Sequence, residues 1–269
     1  MGDKNMLKEI HFAFYAIKKN IQGSAELRTS FLMNVIGMAI NNIAFIILWV
    51  YFIKAVGIIG GWTAVDIIGL QGFVALSYGA VFSIGAGLRK LPDYVSSGAF
   101  DRFMLSPKNL LVRIATASFN ASAIGDILFG TVCLAIYGFL IHISLIQIAV
   151  VIIMAFFAIV TSYAAAIMIY STGFLFIDSG SFTSGLGELF LTPALFHGGA
   201  FQGAMRFIFT FLMPSLLIGT LPVEAVKSLS VGQMALVGVL SSAWFLISIK
   251  FFEKVLKKYE SSNFMTFGN

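Results

Sequence analysis

Residues 31–53 contain no Asp, Glu, Lys, Arg or His. A helix of about 20 such residues spans the ~30 Å of hydrocarbon in a bilayer. Comparable runs occupy about 67–88, a stretch starting between 114 and 121 and ending near Leu140, 146–177, and about 232–252. Hydrocarbon offers no hydrogen-bond partners, so a spanning chain must satisfy its backbone internally. Runs of this length do so as helices, and the expectation is an all-α integral membrane protein.

Composition excludes the main rival, a soluble domain carrying one anchor. The chain is 59% hydrophobic and only 11% charged, against roughly half and a quarter in soluble domains. The formal net charge of +5 could point to nucleic acid. Its Lys and Arg residues, however, flank the apolar runs instead of lining one face, so we read them as topology signals with lipid, not nucleic acid, as the contact. Cys133 is the single cysteine, so no intramolecular disulfide and no cysteine metal cluster can form.

Residues 1–30 lack the compact apolar core of a cleavable signal peptide. Leu7, Ile10, Phe14, Ile17 and Ile21 recur every three or four positions, with Lys8, Lys18 and Lys19 on other faces. This spacing predicts an amphipathic helix lying in the membrane interface; an ordinary solvated helix is the alternative.

Orientation follows from the cations. Five lie in the N-terminal segment (Lys4, Lys8, Lys18, Lys19, Arg28) and five in the loop 89–113 (Arg89, Lys90, Arg102, Lys108, Arg113). Lys250, Lys254, Lys257 and Lys258 mark the tail, 253–269 with the end of the last run, and only Lys54, Arg206 and Lys227 fall elsewhere. Positive charge favours the cytoplasmic side, so both termini and the loop should be cytoplasmic. Both ends on one side requires an even number of crossings. Five runs are clear within 31–252, and the sixth is either 181–199 or 206–221. We favour 181–199, with 203–225 as an outer re-entrant element interrupted by Pro214 and Pro222.

Ionisable groups at membrane depth are expensive and often functional. Asp126 and Glu188 qualify. Asp126 could instead pair structurally with Arg113 or a backbone donor. Asn34, Asn41 and Asn42 fall near one face of the first run and could line a polar path or hydrogen-bond a neighbouring helix. Gly79, Ser83 and Gly87 form a small-residue stripe that permits close helix approach.

In the loop 89–113, Pro92 can open a short helix, Asp93 suits its first turn and Gly98 can close it. Val95, Phe100 and Phe103 are then candidate exposed side chains for docking a soluble partner; packing on lipid headgroups is the alternative. The dipeptide Gly-Lys never occurs, so no P-loop is present, and neither a Gly-x-Ser-x-Gly elbow nor a His-Glu-x-x-His motif is found. His11, His142 and His197 are too scattered to suggest one metal site.

The stretch 91–107 resembles a signature of bacterial ABC-2 type permeases, the membrane subunits of ATP-binding-cassette exporters. It carries the pattern as Leu91, Pro92, Val95, Gly98, Phe100, Asp101, Leu105 and Pro107. Glu26-Leu27-Arg28-Thr29-Ser30-Phe31, Thr210-Phe211-Leu212-Met213-Pro214 and Leu221-Pro222 look similar too. Gly198-Gly199 departs from relatives, which often carry a proline after an aromatic residue there.

The resemblance implies six transmembrane helices, an interfacial N-terminal helix, a cytoplasmic coupling helix and a short outer re-entrant element. It implies a non-enzymatic permease subunit in a bacterial inner membrane, with no cofactor of its own. ATP and Mg would bind separate ABC ATPase subunits, and the path would form with a second permease, identical or related. Coupling would run through Pro92, Tyr94, Val95, Gly98, Phe100, Asp101 and Phe103. The rival readings are a secondary transporter using Asp126 or Glu188, an intramembrane enzyme and a scaffold. The exported substrate is not legible.

Overall fold

The computed structural model describes residues 2–26, 28–57, 60–176 and 179–259. The expected end of the fourth run at Ile177 and the tail beyond Tyr259 lie outside the described residues. The described residues are mostly helical, with no strand among them.

Helix α1 (Gly2–Glu26) precedes α2 (Arg28–Val56), and α3 (Ala64–Ile84) follows. Four short helices come next: α4 (Ala86–Arg89), α5 (Leu91–Ser96), α6 (Asp101–Met104) and α7 (Leu110–Ala115). The long helices α8 (Ser122–Leu140) and α9 (Leu145–Ser171) follow one another across a tight connection. Beyond them lie α10 (Gly180–Leu195), α11 (Gly203–Phe207), α12 (Thr220–Ser228) and α13 (Val231–Leu256).

Among the described residues, five helical segments are long and apolar enough to cross a bilayer: Arg28–Tyr51, Ala64–Ile84, Ser122–Leu140, Leu145–Phe174 and Val231–Leu256. They coincide with the five runs read from the sequence. Helix α10 has 16 residues, about 24 Å at 1.5 Å per residue, which is short for a span. It nevertheless starts beside α5 and ends where Phe196 and His197 meet Trp49 and Trp62 at the opposite end of the bundle. Pro193 near its end leaves the Leu189 carbonyl without a helical donor.

The helices start where local chemistry caps them. Thr63 and Asp66 form a capping box on α3, and Ser144 and Gln147 form another on α9. Asn109 caps α7 and Ser230 caps α13 by accepting from backbone N–H groups of the first turn.

Helix α3 is the centre of the bundle, and its most extensive packing is against α8. Small residues allow it. A Cβ on Gly130 would lie 2.4 Å from the Leu76 amide nitrogen, and one on Gly79 would lie 2.7 Å from that of Ile127. The Gly79 part of the stripe is therefore a helix contact, as small residues commonly provide in membranes. By contrast, the apolar stretch of α2 is unburied, exposing Leu32, Met33, Ile36 and Ile40.

The two ends of the bundle have separate cores. At one end, α4–α7 fold onto the ends of α9 and α13 around Phe100, Ile114, Phe174 and Phe252. Helix α1 docks at this end, where the Asn20 side chain donates to the Thr116 carbonyl at 2.8 Å and the Asn109 amide donates to Glu9 at 3.2 Å. Phe14 and Tyr15 are exposed. At the other end, 203–228 fold back: a helical turn through Leu212, a reversal at Met213-Pro214, then α12. Leu216, Leu217 and Leu221 bury there against Ile67, Leu70 and Met154.

Candidate functional site

Two regions combine unusual chemistry with a reason for it. The first is the block 91–113. Pro92 stands in the first turn of α5, against Gly173 at the end of α9. Gly98 adopts φ 70°, a left-handed conformation that glycine reaches without strain, and its amide donates to the Val95 carbonyl at 3.2 Å. The chain thereby reverses and drives Phe100 inward.

Here the structure corrects an expectation. Phe100 is 0% exposed and Phe103 is also buried; Val95 is partly buried against the same core. None is a free docking knob, because the reversal at Gly98 points these side chains at the bundle. Phe100 meets Phe174 at 5.0 Å and Tyr259 at 4.7 Å between ring centres, while the Tyr259 hydroxyl donates to Asp101 at 2.9 Å. Burial, then the hydrogen bond and charge of Asp101, push the Tyr259 phenol up to about 12. Tyr94 packs on Phe103, and burial raises its phenol against the opposing charge of Arg102. The apolar side chains left outward are Met104 and Leu105, the latter 86% exposed.

The second region is a cleft of about 480 Å³. Helix α2 packs on α3 and α8, and α10 packs on α3 and α9; the cleft opens between α2 and α10. It brings together Asn41, Asn42, Asp126 and Glu188 with Arg89 and Ser162. Asn42 donates to Asp126 Oδ1 at 2.6 Å. Asp126 therefore pairs with an amide on α2 and not with Arg113, whose guanidinium donates to the Phe103 carbonyl instead. Asn34 is outside the cleft: it is exposed and bonds the Ser30 carbonyl of its own helix at 2.8 Å. Glu188 sits exposed on the rim. Arg89, Tyr78 and Tyr170 line the same cleft, and sequence reading missed them as site residues. Arg89 had been read only as a topology cation, and nothing local marks the two tyrosines.

At the far end, two ion pairs hold the element 203–228. Lys227 reaches Asp66 at 2.8 Å and the Gly61 carbonyl at 3.2 Å, and Arg206 meets Glu224 at 2.5 Å. A Cβ on Gly198 would lie 2.4 Å from Thr220 and 2.8 Å from Glu224. Close packing against α12 thus accounts for glycine where the resemblance leads one to expect a bulkier pattern. Among the described residues, no group of three His, Cys, Asp or Glu side chains could hold a metal ion.

An all-helical multi-pass bundle with a helical block folded across one end and a polar cleft within it has the build of a membrane transport subunit. A family model, ABC-2 family transporter protein, matches residues 39–263. The chain belongs to that family, whose members are the non-catalytic membrane components that associate with ABC ATPase subunits. No curated protein and no solved structure matches it.

Proposed function

We propose that this chain is the permease subunit of an ATP-driven exporter in a bacterial inner membrane, with both termini cytoplasmic. Helix α10 is the sixth crossing and 203–228 the outer re-entrant element. A second permease, identical or related, packs against the unburied face of α2, and cargo moves along the cleft lined by Asn41, Asn42, Asp126 and Glu188. Separate ATPase subunits bind ATP and Mg and push on the block 91–107.

The observation that carries this reading is the block's construction. Its core residue Phe100 touches Phe174, just past the end of α9, and Tyr259, just past the end of α13, so a push on the block becomes a tilt of those helices. The contact face for the ATPase is Met104 and Leu105, with Arg102. In the double variant Met104→Ser, Leu105→Ser, the permease should insert and elute as wild type while ATPase co-purification falls at least tenfold. Phe100→Ala should instead destabilise the fold by about 3–5 kcal/mol, as large core truncations do. Undiminished co-purification in the serine variant would refute the docking face.

One observation favours a second reading, a secondary transporter. Asp126 sits in the cleft with an amide but no cationic partner among the described residues, as an ion-coupling carboxylate would. Transport driven by a proton gradient without ATP would select it.

A further inference from the structure

We propose that the cleft between α2 and α10 binds an amphipathic organic cation, with Asp126 and Glu188 as its counter-charges. The inference rests on the permease reading and names the class of cargo. Among the described residues, no Lys, Arg or His forms an ion pair with either carboxylate. Asn42 is neutral and fills one acceptor position on Asp126; a carboxylate offers about four. Acidic groups at membrane depth without an ion-paired cation are costly, and a cationic ligand supplies that partner. Arg89 lines the same cleft but forms no ion pair with either carboxylate; its guanidinium lies 6.0 Å over the Phe82 ring.

Ser162 is an independent observation. It lines the cleft, is 5% exposed, and its hydroxyl has no hydrogen-bond partner among the described residues. A buried hydroxyl left unpaired costs free energy, and a polar group on a ligand would relieve it. The walls suit the rest of such a molecule. Tyr78 and Phe82 pack at 5.9 Å, and Phe82 and Tyr170 at 6.5 Å, presenting aromatic faces that attract organic cations. The volume falls within the ~300–1,000 Å³ typical of small-molecule sites.

The test is equilibrium binding of tetraphenylphosphonium to the full chain in phosphatidylcholine nanodiscs. Tetraphenylborate, the anion of matching shape, and empty discs serve as controls. Saturable binding of the cation should weaken at least tenfold in Asp126→Asn and in Glu188→Gln, while the borate only partitions as it does into empty discs. Absent binding of the cation, unchanged affinity in both variants, or saturable binding of the borate would overturn the proposal. ATPase co-purification from native membranes separates the two readings. Retained co-purification without cation binding refutes the cargo class alone, whereas cation binding without any ATPase supports the site and refutes the permease assignment.

Discussion

Tyr259 and Asp101 are 158 positions apart, yet their hydrogen bond ties the end of the last long helix to the coupling block. The phenol must be protonated to donate. Its folded value of about 12 lies above the ordinary 10.0, so its contribution to stability is complete below pH 10. That contribution is lost as pH rises from about 10 through about 12. Measured against Tyr259→Phe, which keeps the ring contacts, the wild-type stability advantage should be flat to about pH 10 and shrink above it. A difference that does not change with pH would show that the phenol titrates alike in the folded and unfolded states, against the raised value. Asp126 illustrates the other side of residue-scale reading. Its cost at membrane depth was legible from the sequence, but its partner Asn42 was not, because the pairing depends on how two helices are rotated about their axes.

Elements were recovered well where one physical rule governs them. Long apolar runs became helices, and Pro92, Asp93 and Gly98 placed α5 because capping and left-handed closure are local. The direction of Phe100 and Phe103 was misread for an equally physical reason: apolar residues in a short loop helix look the same whether a partner or their own bundle covers them. At the far end, the pair between Asp66 and Lys227 clamps α12 to the start of α3. The Asp66 side chain is 5% exposed and Lys227 is 38% exposed, so Lys227→Met should strand a buried carboxylate. Discounted for solvent at the lysine, the loss should be about 1–2 kcal/mol. Adding Asp66→Asn should recover part of it, and a thermal-unfolding double-mutant cycle reads the coupling. Strict additivity would mean that the clamp has no energetic role.

For the whole molecule, the proposal of six crossings has one decisive consequence: reporters fused to the two termini must report the same, cytoplasmic, side. Opposite sides would refute it. Helix α1, the block 91–113 and the end of α13 already gather at one end of the bundle, the end where the cations concentrate. Class, long helices and this clustering were readable from residues alone, because desolvation of charge and of backbone polar groups is decided position by position along the chain. The cleft, the inward turn of Phe100 and the pairing of Asn42 with Asp126 arise only in the folded bundle. They depend on which faces of distant helices meet, and in apolar runs with little amphipathic pattern nothing local encodes that rotation.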